Sequence, residues 1–261
     1  MEGRTRTGIT MRGEMIEAVK EERDLGIWME EALKPNKHCA AAAKAANFAL
    51  GQLLRGFHYR KKSNLIPLYK TFVRPRLEFA AGAWSPWTET GCKELERVQE
   101  RLMRAIPDVR GTTHEERLRD AGLSTLRERR ERGDAIEAFK TLKRINKVDK
   151  EKWFAVVGPE ARATRANSEV GEEGEVRRTM VVEVQRANLE VRRNAFCIRA
   201  AKTWNGLPEK VKNTETVTSF KAAYDSWKTK TKREERPTTT TNAMGGVIGP
   251  IDTGGNGIAV T

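Results

Sequence analysis

Three cysteines and three histidines are the residues of this sequence with the types that could hold a metal, and their spacing does not suit one. Cys39, Cys92 and Cys197 lie far apart and form no Cys-x-x-Cys pair, which argues against both a zinc ribbon and a disulfide framework. His38 beside Cys39 comes nearest to a ligand pair, but a structural zinc takes four such groups, and His58 and His114 have no cysteine near them. No Asp-Asp dipeptide occurs anywhere in the chain. The sequence therefore predicts no metal, no cofactor and no catalytic residues.

The chemistry it does offer is cationic. Between Lys34 and Leu77 the chain carries Lys34, Lys37, Lys44, Arg55, Arg60, Lys61, Lys62, Lys70, Arg74 and Arg76 without one Asp or Glu. A solvated helix face normally mixes signs, because Glu and Lys four residues apart stabilise a helix while like charges repel. Giving up that pairing marks a surface for phosphates, so Lys37, Lys44, Arg55, Arg60, Lys61, Lys62, Lys70, Arg74 and Arg76 are the candidate nucleic-acid contacts. Such contacts position a duplex without reading its bases. Among the interleaved aromatics, Tyr69 and Phe72 are expected in the core and Tyr59 is the one expected at the surface. The competing reading is an ordinary solvated face.

The elements that would carry these residues are mostly helices. Residues 9–28 suggest one hairpin whose second strand runs through Leu25 and Ile27, and two strands alone are marginal in water. From Lys37 to Phe57, Ala42, Ala45, Ala46, Ala49, Leu53 and Phe57 recur at the helical period, with Lys37, Lys44 and Arg55 opposite. Ser63 suits the cap of a second helix that Pro75 kinks or ends; a third begins near Cys92 with Leu95, Val98, Leu102 and Ile106, and stops at Pro107. Thr113 with Glu116, and Thr125 with Glu128, have capping-box spacing. The second box opens a long helix with Ile136, Phe139, Leu142 and Ile145 on one face. Arg127, Arg129, Arg130 and Arg132 crowd its first turns, where the helix dipole disfavours cations, so either Glu128 and Glu131 offset them or an anion sits there. Later helices carry Phe196, Ala200 and Trp204, then Val217, Phe220, Tyr224 and Trp227.

Several strings together resemble the reverse transcriptases of non-LTR retrotransposons of the LINE, jockey-like type. They are Asp24-Leu25-Gly26-Ile27, Lys37-His38-Cys39, Leu65-Ile66-Pro67-Leu68-Tyr69-Lys70, Val73-Arg74-Pro75-Arg76-Leu77-Glu78 and Ala83-Trp84-Ser85-Pro86. Thr203-Trp204-Asn205-Gly206-Leu207-Pro208 and Ser219-Phe220-Lys221 extend the likeness over roughly residues 9–228. It implies the thumb and post-thumb region of an RNA-directed DNA polymerase, with the hairpin as the last strands of a palm. That family holds two divalent metals on an acidic pair in a Tyr-x-Asp-Asp type turn, and this chain has no position onto which that pair could be carried.

The expected fold class is mainly α, a helical thumb and connection bundle with a short N-terminal β-hairpin and a disordered C-terminal tail. The expected divisions are a palm-hairpin remnant over 1–28, thumb over 29–107, connection over 108–157, linker over 158–178, C-terminal helical element over 179–228 and tail over 229–261. The expected partners are an RNA or DNA template–primer duplex and the palm and fingers of the polymerase. A net charge of +13 favours polyanions, and no run approaches the roughly 18 apolar residues of a membrane span, so no membrane partner and an intracellular, nuclear or cytoplasmic place are expected. Two further readings stand beside this one: a helical protein-interaction module derived from the element, and a product without function.

Overall fold

The protein is described here from a computed structural model over residues 9–157 and 180–234. Helices dominate, in keeping with the mainly α expectation. The expected linker over 158–178 and the part of the expected tail beyond 234 lie outside the described residues.

The N-terminal region holds two hairpins where the sequence suggested one. β1 (Ile9–Met11) pairs with β2 (Glu14–Ile16), and β3 (Glu21–Asp24) with β4 (Ile27–Glu30), both antiparallel. Each turn is two residues at positive φ, Arg12-Gly13 at 55° and 88° and Leu25-Gly26 at 46° and 89°. That geometry matches the right-handed twist of the flanking strands. Leu25 is therefore an exposed turn residue and not a strand residue. The second hairpin is also not left without a packing partner: Ile27 is buried, and the Trp28 N–H donates to His38 Nδ1 on the first helix at 3.3 Å.

α1 (Asn36–Gly56) buries His38, Cys39, Ala42, Ala43, Ala46 and Leu50, a stripe rotated from the predicted one, so Ala45 and Phe57 are exposed. The rotation follows from α5 (Glu89–Ala105), which lies against α1 with Gly91 at Cys39 and Arg101 at Asn47 and Gly51. These levels rise together along both helices, so the two run in the same direction. A side chain at Gly91 would meet Thr88, Cys39 and Pro86 at 3.1–3.2 Å, which explains the glycine at this crossing.

α2 (Lys62–Leu68) begins one residue before Ser63, and its cap comes from a distance: the Lys62 N–H donates to both carboxylate oxygens of Asp108, at 3.0 and 3.2 Å. A π-helical turn over Tyr69–Val73 follows, closed by the Arg74 N–H bonding the Tyr69 carbonyl five residues back. Pro75 has no N–H to continue an α-helical ladder, which favours this wider turn. α3 (Arg74–Glu78) ends before Ala80, whose φ of 49° breaks the chain direction ahead of α4 (Ala81–Trp84).

α6 (His114–Asp120) carries the complete Thr113–Glu116 capping box. At α7 (Leu126–Leu142) the box is half made. Thr125 Oγ accepts from the Glu128 N–H, while Glu96 of α5 accepts from the N–H groups of Leu126 and Arg127 at 2.7 and 3.2 Å. Glu128 itself turns to an ion pair with Lys232. α7 stops before Ile145, which is exposed and not on its buried face.

The short ribbon β5 (Val156–Val157) with β6 (Val181–Val182) precedes α8 (Glu190–Arg193), α9 (Phe196–Asn205), α10 (Glu209–Lys212) and α11 (Val217–Glu234). α11 runs past the expected boundary at 228, because the Thr229 and Thr231 hydroxyls donate to carbonyls four residues back and Lys228 and Lys232 pair with Glu131 and Glu128 of α7.

Two cores result. The first gathers β4, α1, α2, the π turn, α3, α5, α6 and the start of α7, from Ile27 to Leu126. The second gathers the rest of α7 with β6 and the later helices, from Ala135 to Tyr224. In it Phe139 stacks on Phe220 at 4.4 Å, and Trp204 donates its indole N–H to the Met180 carbonyl at 3.0 Å. Such an aromatic pair adds about 0.5–1.5 kcal/mol beyond its burial.

Candidate nucleic-acid interface

The helical period sets Lys44, Phe48 and Arg55 on one outward face of α1. Lys44 and Arg55 are exposed and make no ion pair or hydrogen bond among the described residues. Phe48 stands between them 67% exposed, an apolar ring in a stripe of cations. Alongside, Arg101 of α5 donates to Asn47 Oδ1 at 3.2 Å, which places its guanidinium at the edge of this face. Arg97 lies one turn earlier on the same side of α5, exposed and without an ion-pair partner among the described residues. The structure thus joins two helices into one cationic surface where the sequence indicated one helix.

The predicted contacts do not all share this freedom. Lys37 is taken by an ion pair with Glu21 and by the Trp28 ring, whose centroid its Nζ overlies at 3.9 Å. Arg60 donates to the Leu54 carbonyl at 3.0 Å, Lys62 pairs with Asp120 at 2.8 Å, and Arg74 faces Glu78 at 3.8 Å. Arg74 is partly buried, and burial followed by the nearby Arg129 lowers its pKa from the ordinary arginine value. Lys61, Lys70 and Arg76 are exposed with no side-chain ion pair among the described residues, Lys61 beyond α1 and the other two around the π turn. The acid-free run is acid-free only in sequence: Glu21, Asp120 and Glu78 come from outside it and neutralise part of it.

The aromatics also sort differently from expectation. Tyr69 is fully buried with its hydroxyl donating to Gln99 Oε1 at 2.7 Å, and burial pushes its pKa well up. Tyr59 is exposed. Phe72, expected in the core, is 53% exposed, because the π turn adds a residue to the helical period and rotates it outward. Phe48, Arg97 and Arg101 were not singled out in the sequence. Their signal was there in the spacing of Arg97, Arg101 and Arg104 opposite the Leu95, Val98 and Leu102 stripe, masked by Glu94, Glu96 and Glu100 between them.

His38 and Cys39 are spent on packing. His38 accepts from the β4 backbone and packs its ring edge-on against Trp84 at 4.5 Å, and burial, with Arg23 nearby, lowers its pKa. Burial pushes the Cys39 thiol up to about 12. The arginine crowd at the start of α7 is answered in part from within the chain: Arg129 pairs with Glu78 and Arg132 with Asp225 at 2.7 Å, Arg130 is buried with Cys92 Sγ 3.7 Å away, and Arg127 is exposed with no ion pair among the described residues.

Comparison with known proteins adds no relative. No family model, no curated protein and no solved structure matches this chain. Among the described residues no helix is long and apolar enough to cross a membrane.

Proposed function

We propose that this protein binds duplex nucleic acid without reading its sequence, as the thumb and post-thumb region of a non-LTR retrotransposon reverse transcriptase would hold a template–primer duplex. The observation that carries the reading is the outward face of α1, where Lys44 and Arg55 stand unpaired and α5 adds Arg97 and Arg101. Lys44, Arg55 and Arg97 can meet phosphates without first breaking an internal contact, while Arg101 keeps its bond to Asn47, and each phosphate neutralised releases a counterion. Phe48 adds an apolar ring that can lie against a sugar or an unstacked base. The polymerase assignment rests on the family resemblance of the sequence, and on that reading the chain alone carries no nucleotide-transfer chemistry.

The test is the salt dependence of binding to a duplex by fluorescence anisotropy. Three contacts on B-form DNA contribute about 0.9 each to the slope of log K against log salt. The triple variant Lys44→Glu, Arg55→Glu, Arg97→Glu should flatten the slope by about that much and weaken every duplex alike. The control triple Lys143→Glu, Lys147→Glu, Lys202→Glu, also exposed, should leave the slope nearly unchanged. Equal losses in both variants overturn the assignment.

A further inference from the structure

Beside the cationic face, the β3–β4 hairpin, α1 and the segment from the π turn to Phe79 enclose a groove of about 490 Å³. Ala41, Ala42 and Ala45 form its floor, a surface of methyl groups left by three small side chains on one side of α1. Trp28, Phe72 and Phe79 line its sides, with Phe72 and Phe79 each more than half exposed. The hairpin closes one end: the Gly26 turn comes against the Phe79 ring, 3.4 Å from where a side-chain carbon would sit, and its φ of 89° suits glycine.

The polar groups of the groove decide what it can hold. His38 Nδ1 already accepts from Trp28, and the Thr71 hydroxyl donates to the Pro67 carbonyl at 3.0 Å. No carboxylate or side-chain amide lines it, so Arg23 and Arg76 are its only fully charged groups. An aliphatic side chain would rest on the alanine methyl groups. Arg23 and Arg76, also in the lining, have no ion pair within the chain among the described residues, so two guanidinium groups border an apolar slot without a carboxylate. Guanidinium takes carboxylate or phosphate through paired parallel hydrogen bonds, and the apolar floor between the two arginines favours the side chains of a peptide over a sugar–phosphate backbone.

We propose that this groove docks an amphipathic helical segment of a protein partner, with apolar side chains on the alanine floor and flanking Asp or Glu residues on Arg23 and Arg76. Apolar anchors at i, i+3, i+4 and i+7 are the pattern such grooves accept. The groove lies beside the Lys44–Arg55 face and uses none of its cations, although Arg76 is among the contacts expected from the sequence.

The experiment titrates the full chain, by fluorescence anisotropy, with a labelled helical peptide carrying leucines at those positions and flanking glutamates. An otherwise identical lysine-flanked peptide and a single-stranded oligothymidine serve as the other probes. The glutamate peptide should saturate and bind at least about tenfold more tightly than the lysine peptide, a difference of about 1.4 kcal/mol. Ala45→Trp fills the floor at an exposed position and should abolish binding with the circular dichroism spectrum unchanged. Arg23→Glu with Arg76→Glu should invert the preference in favour of the lysine peptide, a gain that misfolding cannot mimic. Equal binding of the two peptides, or indifference to Ala45→Trp, overturns the proposal. So does oligothymidine binding that Ala45→Trp removes while neither peptide saturates, which would make the groove a nucleic-acid site.

Discussion

Helices α1 and α7 both carry positive charge, three cations in 21 residues and five in 17, and use most of it in different ways. On α1, Lys44 and Arg55 face outward with nothing opposite them. On α7, Arg129 and Arg132 are held by Glu78 and Asp225, and Arg130 is buried. The difference lies in what packs against each helix. α7 is covered by neighbours on several sides, including α3, α4, α9 and α11, and two of them present carboxylates; on the outward face of α1 the β3–β4 hairpin takes Lys37 and leaves Lys44 and Arg55 open. A cluster of arginines in a sequence is thus not evidence for a polyanion until the tertiary neighbours have been counted.

That contrast can be broken by asking what each cation is worth to folding, and the largest effect is expected at the most buried pair. Asp134 on α7 accepts from Arg199 at 3.1 Å with its side chain 8% exposed, and Arg199 also donates to the Gly82 carbonyl at 3.0 Å. Burial raises the Asp134 pKa, with Arg199 acting against it. Asp134→Ala leaves the guanidinium without its counter-charge and should cost about 3–5 kcal/mol in urea denaturation. Arg129→Ala removes paired bonds to the partly buried Glu78 and should cost about 1.5–3 kcal/mol by the same measurement. Arg132→Ala breaks a more exposed pair and should cost about 0.2–1 kcal/mol. Lys44→Ala should fall within about 0.5 kcal/mol of the parent protein. A Lys44 variant that destabilises as much as the Arg129 variant would mean that α1 uses its charge as α7 does.

The smallest effect concerns pH. Glu116 accepts from the Thr112 hydroxyl and from the backbone N–H groups of Thr112 and Thr113, which hold its pKa down at about 2. Its folded pKa lies below the unfolded one, so its contribution to stability is present above about pH 4.5 and is lost as pH falls toward 2. Carboxyl NMR titration should find Glu116 depressed, and Thr112→Ala should move it back toward the ordinary range.

The sequence was most informative where local rules act alone. The helical periods of α5 and α11, the Thr113–Glu116 box and the chain break around Pro208 are all legible in it, because caps, breakers and apolar spacing act within a few residues, whereas α1 is legible as a helix but its buried face is not. It was least informative where a distant group replaces a local one. Asp108 caps α2 in place of Ser63, Glu96 completes the start of α7 in place of Glu128, and Glu21 occupies Lys37. The outward turn of Phe72 needed the π turn, whose one-residue shift no fixed helical period contains. The candidate interface was half legible for the same reason: the α1 cations are contiguous in sequence, whereas those of α5 join them only through packing.

Helix α7 belongs to both cores, with Leu126 in the first and Ala135 to Leu142 in the second. A helix propagates residue by residue from a costly nucleus, so melting either end removes the neighbour that supports the other. The two cores should consequently lose structure in a single calorimetric transition, with amide hydrogens along α7 exchanging only through global opening. A ligand that tightens the first core would then slow exchange in the second without touching it, α7 acting as the common beam through which the load passes.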